Sequence, residues 1–219
     1  MKPKINKNRP AVPIPNNGLL SKESWKIFQI ISEFVDGYEN LYHIDPAISV
    51  FGSARLNKKH TYCNLAKKIS KKLSDKGFSI VTGGGGGIME AANHGAFQGK
   101  SLSIGLNIIL PNKEIINNYQ DITIKFRHFF SRKVMFVKHA KAFIVFPGGF
   151  GTLNELIEIL VLMQTKIINK IPIILVYTNY WQGLIDWFKS KLLAEKMIDP
   201  SDLKLFYMAD TAEEILKHI

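Results

Sequence analysis

From Glu23 to Tyr38 the apolar residues Trp25, Phe28, Ile31, Phe34, Val35 and Tyr38 return every three or four positions, the spacing that lines one face of an α-helix. The pattern predicts a helix over about 23–40, packed by that face onto the rest of the protein. Beyond it the rhythm changes to short apolar runs bounded by glycine and alternating with helical spacing. Strands are predicted at Ala47 to Phe51, Phe78 to Val81, Leu102 to Leu106, Ile122 to Phe126, Ala142 to Phe146 and Ile171 to Tyr177. Leu65, Ile69 and Leu73 mark one intervening helix, and Leu153, Leu156, Ile157, Leu160 and Met163 another, with Gly77 and Gly99 where helices should stop. Strands separated by helices pair in parallel, because a parallel neighbour is reached only through a crossover. The class is therefore a doubly wound α/β sheet, one domain over 21–219, preceded by a Pro-, Asn- and Lys-rich tail at 1–20 without regular structure.

Composition narrows the setting. The chain has 219 residues, 46% of them hydrophobic, enough for one core without a disulfide or structural metal. Cys63 is the only cysteine, which excludes an internal disulfide and a cysteine metal cluster and suits a reducing, cytoplasmic setting. No apolar run approaches membrane-spanning length, so no membrane partner is expected. Of the net charge of +11, five cations fall in residues 1–22, which hold no acid before Glu23; taking those five away leaves +6. That remainder suits an anionic small ligand but equally a solvated lysine-rich surface. Lys67, Lys68, Lys71 and Lys72 share a helix with Leu65, Ile69 and Leu73, which reads as a solvated face opposite a core rather than a nucleic-acid site. His43, His60, His94, His128, His139 and His218 show no metal-ligand spacing, and no metal or cofactor is expected. Trp25, Trp181 and Trp187 read as packing aromatics on helices.

In parallel sheets ligands bind beyond the carboxyl ends of the strands, and there this sequence is unusual. Gly52-Ser53-Ala54-Arg55 follows the first strand with a turn, a hydroxyl and a guanidinium. Gly83 to Gly87, five consecutive glycines, lie between a strand and the helix beginning Ile88-Met89-Glu90. Such a run costs roughly 0.5–1 kcal/mol per glycine relative to alanine in regular structure, and converging backbone amides at a helix N-terminus would repay it by holding a phosphate. Pro147-Gly148-Gly149-Phe150-Gly151-Thr152-Leu153-Asn154-Glu155 repeats the strand-to-helix context and brings Glu155 near such a phosphate ester, with Glu158 three residues on to support it. Phe129-Phe130-Ser131-Arg132-Lys133 opens a further helix, in which Arg132 could fork onto phosphate or carboxylate oxygens.

Together, Gly52 to Arg55, the glycine run with Ile88-Met89-Glu90-Ala91-Ala92-Asn93, Ser131-Arg132-Lys133 and Pro147 to Glu155 resemble the LOG ("lonely guy") family over about 47–165. That family includes cytokinin riboside 5'-monophosphate phosphoribohydrolases, and many bacterial relatives carry the label lysine decarboxylase. The resemblance implies a Rossmann-like sheet, a homodimer with sites near the subunit interface, and metal-free hydrolysis of a nucleoside 5'-monophosphate to free base and ribose 5-phosphate. By the same resemblance Arg132 and Glu155 are catalytic. Gly148, Gly149, Gly151 and Thr152 hold the phosphate, Ser53, Gly84 and Gly85 line the nucleotide site, and Lys133 is a further substrate contact. Phe129-Phe130-Ser131 and Val161-Leu162-Met163-Gln164 depart from the plant pattern close to where the base should sit, which favours AMP over a prenylated nucleotide. Two other readings compete. One is a nucleotide-binding sensor or carrier that turns nothing over; the other, an amino-acid decarboxylase, has no motif for a pyridoxal lysine.

Overall fold

Each of the six apolar runs becomes a strand, and a seventh, shorter strand joins them at one edge. The structure is a computed structural model that describes residues 17–44, 46–110 and 116–219. The expected tail at 1–16 lies outside the described residues, and residues 17–20 belong to the first helix. The chain runs α1 (Asn17–Asn40), β1 (Ala47–Phe51), α2 (Thr61–Asp75), β2 (Ser79–Thr82), α3 (Ile88–Phe97), β3 (Ser103–Ile108) and β4 (Ile122–Phe126). It continues through α4 (Phe129–Lys138), β5 (Ala140–Val145), α5 (Phe150–Gln164), β6 (Ile173–Val176), α6 (Thr178–Trp187), β7 (Tyr207–Ala209) and α7 (Ala212–Lys217). The sheet order is β4-β3-β2-β1-β5-β6-β7 and every pairing is parallel. The fold is thus α/β and Rossmann-like, as expected.

Successive residues of a strand point to opposite faces, and each face has its own core. In β5, Phe143 joins Phe51, Phe136, Leu156 and Trp181 on the side covered by α4, α5 and α6. Its neighbour Ile144 joins Ile48, Ile69, Ala92 and Ile215 on the side covered by α2, α3 and α7. Trp181 packs fully buried and donates Nε1–H to Val176 O at 3.0 Å, whereas Trp25 and Trp187 stand exposed, contrary to their expected packing role. Among the described residues no helix is long and apolar enough to cross a membrane.

The N-terminal helix forms, but its expected contact face is corrected. Trp25, Phe28, Ile31, Val35 and Tyr38 remain exposed, Trp25 at 70%. The face turned to the body instead carries Glu33, Gly37 and Leu41, spaced by four, with Phe34 beside them. At about 100° per residue these two stripes lie on opposite sides of the helix, so only one can be buried. Gly37 permits the close approach: a Cβ there would sit 2.8 Å from the Met135 sulfur of α4. An apolar count favoured the wider stripe; a buried carboxylate and a glycine fixed the narrower one.

The sheet order reverses between β1 and β5, whose carboxyl ends carry Gly52-Ser53 and Pro147-Gly148. A reversal of this kind opens a crevice, because the chains leaving adjacent strands turn to opposite faces. The site residues gather there.

Candidate active site

Three strand-end loops meet at this crevice by backbone contact. Ser53 N–H donates to Pro147 O at 3.0 Å, and Ser53 O accepts the Ile88 N–H at 2.9 Å. Side chains would prevent this. A Cβ on Gly52 would overlap Ile88, one on Gly87 (φ +62) would overlap Ser53 O, and one on Gly148 would overlap the Thr152 hydroxyl and approach Ser53 N at 3.0 Å. The loops enclose a cleft of about 710 Å³. Its walls include Ser53, Gly83, Arg132, Gly148, Gly149, Gly151, Thr152 and Glu155.

Two helix N-termini border the cleft, and they differ. The first amide of α3, Ile88 N–H, is already taken by Ser53 O. By contrast α5 begins at N-cap Gly149 with no side-chain cap and no acid in its first turn. A Cβ at Gly149 or Gly151 would meet nothing within 4 Å, so the backbone there faces open space. Uncapped amides and the positive end of a 15-residue helix give this edge of the cleft the chemistry that suits an anion.

The five-glycine loop divides its labour. Gly83 lines the cleft, and a Cβ there would sit 2.7 Å from the Met89 sulfur and 3.3 Å from the Arg132 guanidinium, so its bareness leaves room for both side chains. Gly84 and Gly85, expected at the nucleotide, lie off the cleft wall instead. Gly84 (φ +70) packs on the Asn107 side chain, its N–H donating to Thr82 Oγ1 and its O accepting from Asn117 N–H and Gln120 Nε2. Gly85 O accepts from Asn117 Nδ2. Fully buried Asn93, from the motif after the glycines, accepts from Thr82 Oγ1 at 2.6 Å and donates to Ser103 Oγ, tying α3 to β2 and β3. Gly84 and Gly85 therefore serve packing against β3 and the segment that leads into β4.

Arg132 and Glu155 come from different helices into one cleft. The guanidinium of Arg132 sits between the rings of Phe136 and Phe129, 5.1 and 5.8 Å from their centroids, and its buried Nε has no hydrogen-bond partner. Glu155, 6% exposed, stands farther along α5 from the open N-terminus. Burial pushes the Glu155 carboxyl above the ordinary glutamate range; the charges of Arg132 and Lys133 pull it back and that of Glu158 adds to the rise. Burial likewise lowers Arg132, against the attraction of Glu155. Lys133 is not on the cleft wall. It bridges α4 to α5, with Nζ 2.5 Å from Glu158 and 3.2 Å from Asn154 Oδ1.

Sequence reasoning missed Tyr180, which lines the cleft and donates its hydroxyl to Gly148 O at 2.7 Å. It follows the β6 strand end, so the carboxyl-end rule that exposed the other loops would have found it. Met89, Phe129 and the 92%-exposed Phe150 also line the cleft.

Comparison with known proteins bears on this geometry. The family described as "Possible lysine decarboxylase" matches residues 89–219. A probable cytokinin riboside 5'-monophosphate phosphoribohydrolase of Oryza sativa subsp. japonica is 32% identical over 172 residues, 77% of this chain and 74% of that protein. The chain belongs to the LOG family. An Arabidopsis thaliana cytokinin riboside 5'-monophosphate phosphoribohydrolase is 29% identical over 175 residues, 78% of this chain and 80% of that LOG protein. Among solved structures, the molybdenum cofactor binding protein of Rippkaea orientalis superposes with a TM-score of 0.55 at 25% identity, covering 78% and 93% of the two chains. The Chlamydomonas reinhardtii molybdenum cofactor carrier protein gives 0.56 at 21% identity over 78% and 94%, a likeness of fold.

A folded-state pKa above the unfolded one means that the native protein holds the Glu155 proton longer. The stability this lends is present below the unfolded value and is lost as pH rises through the folded one. In a carboxyl-carbon NMR titration, Glu155 should protonate at higher pH than an ordinary glutamate, and higher still in Arg132→Ala. A Glu155 that titrates as an ordinary glutamate contradicts this electrostatic description.

Proposed function

We propose that this LOG protein is a nucleoside 5'-monophosphate phosphoribohydrolase that cleaves the N-glycosidic bond of AMP, yielding adenine and ribose 5-phosphate. The observation that carries the reading is one cleft holding an uncapped helix N-terminus for a phosphate together with a buried carboxylate and guanidinium for the sugar. Homologues named as phosphoribohydrolases support the reaction class. Phosphate held by the amides at Gly149, Gly151 and Thr152 orients the ribose, so binding energy goes into placing C1'. As the bond between C1' and the base breaks, the electron pair leaves with the base, which takes a proton from solvent to become adenine, and positive charge grows on C1' and the ring oxygen until water adds at C1'. Glu155 stabilises that charge or takes the proton of the attacking water. A carboxyl raised above its ordinary range is the stronger base for that role. Arg132 positions the sugar or the carboxylate. The apolar side chains of Met89 and Phe129 on the cleft wall suit a plain adenine face.

Glu155→Ala should lower adenine release from AMP, followed by chromatography, by about 10²–10³-fold. AMP affinity in calorimetry should stay within about threefold. Undiminished turnover removes Glu155 from the mechanism. Wild-type binding of AMP without adenine release replaces the hydrolase by a nucleotide-binding sensor or carrier.

We also propose that the protein works as a homodimer. Exposed apolar residues collect on α4 (Phe130, Val134) and α5 (Phe150, Ile157, Val161), the two helices that supply Arg132 and Glu155. Patches of this kind on a soluble protein mark association surfaces, and one here sets a second copy beside the cleft. Light scattering should give twice the chain mass for wild type and a single chain mass for Val161→Glu. A monomeric wild type refutes the dimer.

A further inference from the structure

Helix α4, which carries Arg132, starts without a cap of its own. His128 at its N-cap makes no side-chain cap bond, and the first turn holds no acid. Arg132 and Lys133 then add positive charge close to a helix end that is already positive. Unmatched N–H groups and cations there should loosen the turn that aims Arg132.

The missing acceptor comes from α1. Glu33, 4% exposed, receives the Arg127 N–H at 2.8 Å and the His128 N–H at 3.3 Å. The Ser131 hydroxyl donates to it at 2.5 Å, and His128 Nδ1 lies 3.1 Å away. Both carboxylate oxygens are used, and both serve the first turn of α4 or the two residues leading into it. Burial alone would raise the Glu33 pKa, but the bonds from Ser131, Arg127 and His128 outweigh it and hold the carboxyl below the ordinary range. An ionised carboxylate thus takes the N-cap N–H of α4, as the glutamate of a capping box does within a single helix, but from about a hundred residues upstream.

We infer that Glu33 is a positioning residue for Arg132: it caps α4 in trans from the N-terminal helix and fixes the register at which the guanidinium meets the cleft. Arg132 depends on that register because its buried Nε has no polar partner and its flanking rings, Phe129 and Phe136, ride on the same helix. The far end of α4 is pinned separately, by Ser49 Oγ donating to Phe136 O at 2.7 Å. Glu33 precedes residues 89–219, the stretch that the family model matches.

The inference rests on the hydrolase reading only for its turnover readout, so the test on the full chain has a second, independent arm. In Glu33→Gln, an amide NH₂ faces donors and the charge is gone. Amide exchange at residues 127–133 should accelerate by about tenfold, the size of a strong lost cap. AMP turnover per binding-competent site, counted by calorimetric stoichiometry, should fall by about tenfold. Added to Arg132→Ala, the same substitution should cost no further turnover, an outcome that general destabilisation would not give. Ser131→Ala, which deletes one of the bonds and leaves α1 intact, should shift exchange and turnover the same way by less, and it decides the matter if Glu33→Gln does not fold. Wild-type exchange at 127–133 in either variant, or an equal turnover loss in the Arg132→Ala background, overturns the role. A wild type that releases no adenine sinks the hydrolase reading instead; exchange and AMP affinity then still decide whether Glu33 holds α4 and Arg132 in place.

Discussion

The cleft depends on three chain segments approaching one another backbone to backbone at the point where the sheet order reverses. Ser53 is the stitch: its N–H and C=O join the loop after β5 to the start of α3. Glycine at 52, 87 and 148 is what lets the strands' exits come so close. With the loops drawn together, the first amide of α3 is taken by Ser53 O, and the N-terminus of α5 is left facing the cleft. That opening is lined by Gly149, Gly151 and Thr152.

Around that opening the protein buries charge that it could more cheaply leave in water. Arg132 loses solvation between two phenyl rings, and Glu155 is pushed toward its neutral form. Isolated burial of such groups is expensive, and structures tolerate it chiefly where the groups have work to do. The supports are consistent with that view. Lys133 and Glu158 clamp α4 to α5, the helices carrying the pair, and Glu33 closes the start of α4 from outside. The site is thus held by ion pairs and caps on its supporting helices.

The sheet and most of the cleft were legible in the sequence because they leave periodic or compositional marks. β1 and β4 have the bounds that their apolar runs predict: β1 is buried throughout and stops at Gly52, and β4 is an alternating edge strand that starts after Asp121. The last run was expected through Tyr177 but ends at Val176, where Tyr177 takes φ +71 and turns the chain into α6. β7 escaped notice because a three-residue strand is too short to show a period. The glycine run was visible, but not its division between Gly83 at Arg132 and Gly84 against Asn107, which depends on the path of a distant segment. For α1 the apolar rhythm was real and pointed to the wrong face. What seats the helix is the carboxylate of Glu33, and its partners lie almost a hundred residues away.

The most direct test is a crystal of the full chain soaked with AMP, or with ribose 5-phosphate where turnover is fast. The phosphate should lie on the amides of Gly149 to Thr152, within hydrogen-bond distance, with ribose C1' turned toward the Glu155 carboxylate. A phosphate bound away from Gly149, or a sugar directed away from Glu155, would contradict the arrangement from which the activity is argued.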